Sequence, residues 1–503
     1  MTKVNNQTVL GEIVVRIYNA TMGHSDSFLK LALIQILLIL PLSVYPENDI
    51  SYDYPDIPLI EIYTRNNEEP SCRRIESPGG CFGVSITDNV YVQGNMKVWM
   101  NHKVVYSSYN TGDDVYGMKL KIRGNTTGAY LAQHPYKIKL NKKADLFFSD
   151  NPLNENKEWV LLSIAVWNPQ FTCQTTDLTP FLGASVSKCL GTAWTPRYRF
   201  VNLVMNGTYR GCYILADAVN RSIGRIDIEK SGFIIEYDAY WWKPEMEYFK
   251  TGYCYPAMAF TFKYPDDDAV TDSVKSLYCL YMNEVEQHIY NDQAEAYDYI
   301  DYASFARWLL VHDILGSTDA AGSNIFLYKE SMDPHNHTLS LLNIGPTWDY
   351  DTCFKADKDS FSTIHSSDIF YFNKLLQKPL FIAEYLRQWQ EVKDKLFENV
   401  RSDFETLFTD DWAAVDRSIT MSRRLYKQSY VSLTSQYNEI LGLLKQRLQC
   451  LESQINTIDL TSLPKAPSLD IGGACYYLTG IGVQGKMKEG LYIIDGRKVF
   501  YKN

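Results

Sequence analysis

Asp319 and Asn324 stand five positions apart in STDAAGSNIFLYKE (317–330), and the chain then reads GPTWDYD (345–351). That combination suits phosphoryl transfer. The reaction needs a carboxylate to take the acceptor proton, an oxygen ligand for one divalent metal, and a carboxylate for the metals that bridge the phosphates. Asp319 is the candidate base and Asn324 a candidate metal ligand. Asp349 is the first choice for the second carboxylate, with Asp351 as the other. The spacing alone is common in a chain of this length, and Asp319 also reads as the start of a turn.

Phosphates need cations. In YKIKL (136–140), strand alternation puts Tyr136, Ile138 and Leu140 on one face, with Lys137 and Lys139 on the other. A strand lysine facing a cleft clamps nucleotide phosphates in kinases. Lys139 is the first choice, and a solvated strand face is the other reading. Arg123, in an RGN turn, offers a planar fork to phosphate or simply stabilises the turn. G-x-x-x-x-G-K-[ST] does not occur, so that phosphate loop is not available by motif.

These residues need a rigid frame. IFLY and LSLLNI read as two short strands between Asn324 and Asp349, and a helix over 303–315 would hold the base. MKLKIRG, YKIKL, WVLLSIAV, YRFVNLVMNGTYRGCYIL and GFIIEYDAY carry strand patterns, with an Asn-Gly hairpin signal in VMNGTY. A helix is expected around 178–190. From 301 the apolar spacing turns to three and four, as in LRQWQEVKDKLFENV and YNEILGLLKQRLQCLESQI. The pattern predicts an α+β protein, β-rich first and helical second, with a cleft where the halves meet.

The domain reading follows. Residues 1–45 form a leader, 46–115 an N-terminal β segment, and 116–460 the main domain, β-rich over 116–300 and helical over 301–460. Residues 461–470 are a linker and 471–503 a small β tail. FLKLALIQILLILPLSVYP (28–46) has the length of a signal-peptide core; a buried element or an uncleaved anchor are the other readings. With 46% hydrophobic and 21% charged residues, the 503-residue chain is globular. Its net charge of −10 argues against non-specific nucleic-acid binding. Of ten cysteines, Cys72 and Cys81 flank a Pro-Gly-Gly turn and are the expected local bridge. No C-x-x-C pair exists, and PHNH (334–337) reads as a solvated loop rather than a metal site.

Taken together, KIRGNTTG…PYKIKL (121–140), KEWVLLS (157–163), VNLVMNGTYRGCYIL (201–215), GFIIEYD (232–238), FKYPDD (262–267), Asp319–Tyr328 and GPTWDYD resemble the CotH kinase family, atypical protein kinases typified by a spore-coat protein. The resemblance runs from about 115 to 455. It implies a diverged two-lobed kinase-like fold, ATP with Mg²⁺ or Mn²⁺, and transfer to serine, threonine or tyrosine hydroxyls of a protein substrate. It implies Asp319 as catalytic base, Asn324 and Asp349 or Asp351 as metal ligands, and Arg123, Lys137, Lys139 and Glu236 around the nucleotide. Three departures stand out. No arginine occurs in TTDLTPFLG (175–183), Asp217 replaces a frequent glutamate, and Asp319 is followed by Ala320 rather than glycine.

GLYIIDGRKVFYKN resembles the C-terminal β tails of exported proteins from the Bacteroidetes. With the leader, it predicts an exported protein, periplasmic, secreted or at the cell surface. Membrane contact would come only through the leader or surface attachment. The alternative function is a non-catalytic cell-surface binding or adhesion protein on the same fold.

Overall fold

The computed structural model describes residues 57–109, 115–164, 177–292, 296–317, 320, 323–333, 340–354, 370–407 and 412–456, and the backbone of 475–477, 490–494 and 497–501. Residues 55–503 form one compact unit. The leader (1–45), Asp319 and the linker (461–470) lie outside the described residues.

The N-terminal half is a closed barrel. Seven strands form the ring: β1 (Leu59–Thr64), β4 (Val92–Met100), β6 (Met118–Ile122), β7 (Tyr136–Ala144), β8 (Asn156–Ser163), β9 (Tyr198–Met205) and β10 (Thr208–Asp217). The order is β1-β9-β10-β8-β7-β6-β4, and β4 pairs back onto β1. β5 (Lys103–Ser107) hangs on β4, and β2 (Arg73–Glu76) and β3 (Val84–Thr87) make a separate hairpin. Every ring pair is antiparallel except β1–β9. Alternation fills the lumen: Leu120, Ile138, Trp159, Leu161, Leu203 and Leu215 pack inside, so apolar burial drives closure. The Asn206-Gly207 turn joins β9 to β10 with φ of 52° and 76°, the left-handed pair that this hairpin type requires.

The second sheet has the order β12-β13-β11-β14-β15. Its strands are β11 (Phe233–Asp238), β12 (Tyr248–Phe249), β13 (Ala259–Tyr264), β14 (Ile325–Lys329) and β15 (Leu342–Ile344). The described helices are α1 (Thr126–Tyr130), α2 (Thr179–Cys189), α3 (Asp272–Tyr290), α4 (Tyr302–Leu315), α5 (Phe372–Leu375), α6 (Pro379–Val392), α7 (Leu396–Leu407), α8 (Trp412–Leu425) and α9 (Leu433–Ile455). α4 is almost wholly buried and packs against α2, α6, α9 and β15. It starts on Asp301, whose carboxylate accepts from the Ala303 amide at 2.9 Å, and ends on left-handed Gly316. Beyond α9, β16 (Cys475–Tyr477), β17 (Gly490–Ile494) and β18 (Arg497–Tyr501) form a three-stranded antiparallel sheet of their own.

The α+β class, β-rich first and helical second, is present. Three finer expectations need correction. The boundary at 115 falls between β5 and β6, inside one sheet, because β1 and β4 close the barrel. The division at 300 is crossed both ways: β14 pairs onto β11 and β15 onto β14, while the helix α3 lies before residue 300. Cys72 and Cys81 are free thiols; the Cys72 sulfur faces the Gly128 carbonyl at 3.9 Å. Among the described residues no helix is long and apolar enough to cross a membrane.

Candidate functional site

The site is assembled from the end of barrel strand β6 and the inner strands of the second sheet. β6 delivers Arg123, whose amide donates to Pro135 O at 2.9 Å at the close of the β6–β7 ladder. Gly124 follows at φ 85°, where an added Cβ would meet Thr127 Oγ1 at 2.2 Å; only glycine fits this turn. Burial pushes the Arg123 guanidinium below its ordinary value, and Asp349, Glu236 and Tyr198 act against that push. Arg123 therefore lies within electrostatic range of two of the predicted acids.

Glu236 is the hub. It sits on β11 opposite Thr261 of β13 and Phe326 of β14. Its Oε2 takes an ion pair from Lys263 at 2.6 Å, and its Oε1 accepts from the Asn324 amide at 3.2 Å. Burial alone would pull the Lys263 ammonium down, but Glu236 and Asp238 reverse this and hold it above its ordinary value. Asp238, two residues along the same strand face, is pushed up to about 6, by burial first and by Glu236 next. It accepts from Tyr240 N at 2.8 Å and Thr261 Oγ1 at 3.1 Å.

Asn324 closes the arrangement. Its side-chain amide donates to Asp349 Oδ2 at 3.3 Å. Both residues hold left-handed backbone, φ 64° and 59°, a conformation that non-glycine residues adopt at a cost. The Asp349 segment is pinned from behind. The Tyr350 hydroxyl lies 2.8 Å from Thr347 Oγ1, which lies 2.6 Å from Ser187 Oγ of α2. The Tyr350 ring covers Gly183 of α2 so closely that a Cβ there would come within 2.3 Å.

Four predicted site residues thus converge: Arg123, Glu236, Asn324 and Asp349. These contacts involve Asp349; Asp351 is half-buried two residues on. Lys137 and Lys139 instead share Glu158 of β8, at 3.1 and 3.5 Å. The register sets Lys137 opposite Lys121 and Lys139 opposite Lys119, so Lys137 is the nearer to Arg123. Sequence reading missed Lys263, Asp238 and Tyr198. For Lys263 the signal was present, a lone cation in the apolar strand AFTFKY.

Asp217, on the departing position, is buried. It takes a two-pronged bond from Arg197, at 2.9 and 3.0 Å, and one from Arg225 at 3.2 Å. It ties the end of β10 to the following segment and serves the fold. A cavity of about 260 Å³ lies elsewhere, lined by Trp194, Arg225, Arg307 and Tyr328 among others; Arg123, Glu236, Asn324 and Asp349 do not line it.

A family model described as CotH kinase protein matches residues 120–451. The chain belongs to the CotH kinase family. No curated protein matches the chain. All four converging residues, and Lys263, fall inside the CotH match. Among the described residues no cluster of three His, Cys, Asp or Glu side chains could hold a metal by itself. The donors present still fit a hard cation of the kind that CotH membership implies. The Asn324 side-chain amide lies against the Asp349 carboxylate, and Mg²⁺ commonly takes one or two carboxylates with phosphates and water completing its shell.

Proposed function

We propose that this CotH family member is an exported protein kinase that moves the γ-phosphoryl group of ATP to a serine, threonine or tyrosine hydroxyl of a protein. The observation that carries the reading is the Asn324–Asp349 pair, set against the cations Arg123 and Lys263. A divalent ion, when bound, neutralises charge on the phosphates. Asn324 and Asp349 would hold it. Arg123 offers a fork of donors to phosphate oxygens. Lys263, fixed by Glu236, supplies a second positive charge. Lys137 stands next in line along the barrel, with Lys139 beyond it.

Asp319 takes the hydroxyl proton as the acceptor oxygen forms its bond to phosphorus; the bond from phosphorus to the bridging oxygen breaks, and ADP leaves with that electron pair. The left-handed backbone at Asn324 and Asp349 holds the ligands in place before the phosphates arrive, which removes reorganisation from the transfer step.

The test is a pair of variants of the full chain. Asp319→Asn should abolish phosphorylation while a Mg-ATP thermal shift survives, because the base touches the acceptor and not the phosphates. Asp349→Asn should lose both. Occupancy raises melting temperature with ligand concentration over its dissociation constant. A wild-type protein with neither a shift at millimolar Mg-ATP nor self-phosphorylation would instead support the non-catalytic surface-binding reading.

A further inference from the structure

The outer face of the barrel beside the site carries an unusual charge arrangement. Lys119 and Lys121 of β6 point out of the ring between buried Met118, Leu120 and Ile122. Lys137 and Lys139 of β7 do the same between Tyr136, Ile138 and Leu140. The register sets Lys119 directly opposite Lys139, and Lys121 opposite Lys137. Like charges at facing positions destabilise a sheet, and here two such pairs are stacked. Glu158 is the only carboxylate in ion-pair contact with these four among the described residues, and it is shared by Lys137 and Lys139. The Tyr91 ring lies 4.7 Å from the Lys119 ammonium and 5.0 Å from that of Lys121. It holds those cations in place without neutralising them; Glu245 and Asp267 act on Lys121 at longer range, against Lys137 and Lys243.

The row leads into the site. Lys119, Lys121 and Arg123 follow at alternate positions along β6 and its end, and Arg123 lies within electrostatic range of Asp349 and Glu236. From Lys119 to Arg123 the strand covers about 13 Å. A triphosphate gathered at Arg123, Asn324 and Asp349 does not reach the far end. The ring is closed on β6 and β7, so no edge is open for a partner to add a strand, and recognition must come through side chains.

We propose that this lysine row docks the acceptor: an extended, acidic polypeptide segment whose alternate Asp or Glu side chains lie along β6. An extended chain repeats its side chains with the same period as the strand beneath it. Acidic residues about two and four positions from the acceptor hydroxyl therefore meet Lys121 and Lys119. The inference deepens the kinase reading and rests on it for the identity of the acceptor; the docking itself can be measured without transfer.

The experiment uses the full chain and two fluorescein-labelled peptides. One has a central serine with glutamate at alternate positions on both flanks, and the other has glutamine in place of each glutamate. Anisotropy should show the acidic peptide binding at least about tenfold more tightly at low salt, with the difference shrinking as salt rises. The double variant Lys119→Gln/Lys121→Gln should lose about tenfold in affinity for the acidic peptide, keep the Mg-ATP thermal shift, and melt no lower than wild type because repulsion is relieved. Lys119→Arg/Lys121→Arg should retain binding. Equal affinity for the two peptides would overturn the proposal, as would a double variant that binds the acidic peptide like wild type or one that loses the Mg-ATP shift. Charge-selective binding without any Mg-ATP response would keep the docking surface and remove the kinase reading.

Discussion

Asn324 and Asp349 meet side chain to side chain at 3.3 Å although 25 residues separate them, and each does so from a left-handed backbone. The strands β14 and β15 bring them together: Leu327 pairs with Ile344, and Gly345 N donates to Phe326 O at 2.8 Å. A side chain at positive φ costs of order 1 kcal/mol. That cost is carried here at two residues whose side chains meet.

Asp349→Gly should therefore raise stability by about 1 kcal/mol, because glycine adopts this conformation freely, and should abolish the Mg-ATP thermal shift. Asp349→Ala keeps the strained backbone and should lose the shift with no gain. Equal melting temperatures for the two variants in denaturant or thermal melts would show that the left-handed conformation carries no strain.

The Lys263–Glu236 pair at 2.6 Å is mostly buried. Removing one partner of such a pair leaves an uncompensated charge and costs about 3–5 kcal/mol. Lys263→Met should do this, since Glu236 and Asp238 would both lose their cation. The double variant Lys263→Met/Glu236→Gln should recover much of the loss. Denaturant melts of the four proteins give the coupling. Additive losses would mean that the pair is a chance surface contact.

Local patterns were legible and distant pairings were not. The alternation in MKLKI and YKIKL declares two half-buried strands, and Asn206-Gly207 declares its hairpin. Nothing in LIEIYT says that β1 will pair with both β4 and β9, the latter about 140 residues on, so barrel closure stayed hidden. The same limit applied at the site. Arg123, Glu236, Asn324 and Asp349 sit in recognisable motifs; Lys263 lies in one too, FKYPDD, but its pairing with Glu236 depends on the β11–β13 register, which shifts at Ile234/Ile235. Which of Lys137 and Lys139 lies nearer Arg123 is set by the β6–β7 register, and that register favours Lys137.

Gly183 and Gly442 make a matched pair of helical glycines. A Cβ at Gly183 would strike the Tyr350 ring at 2.3 Å, whereas one at Gly442 would meet nothing within 4 Å. Gly442→Ala on α9 should stabilise by about 0.5–1 kcal/mol through helix propensity. Gly183→Ala should destabilise by about 1–3 kcal/mol through overpacking. It should also weaken Mg-ATP binding, because Tyr350 moves with its neighbour Asp349. A Gly183→Ala protein that is less stable yet binds Mg-ATP normally would show that the α2 support does not position Asp349.

Glu286 on α3 is buried and accepts from the Tyr371 hydroxyl at 2.6 Å, and no cation pairs with it among the described residues. Burial pushes its carboxyl up to about 7 from 4.5, with hydrogen bonds from Thr251 and Tyr371 opposing. A carboxyl raised on folding favours the native state while it is protonated. That contribution is full below pH 4.5 and is lost as pH rises through 7. Asp238, raised to about 6 from 3.8, acts in the same direction over a slightly lower window. The native protein should thus lose stability between about pH 4 and 7 from these two groups. Glu286→Gln imitates the protonated form, so it should melt above wild type at pH 8 and converge with it near pH 4. Asp238→Asn should flatten the lower part of the same curve. If the melting temperatures of wild type and Glu286→Gln differ by the same amount at pH 4 and pH 8, Glu286 does not titrate in this window and the cause of any stabilisation is packing.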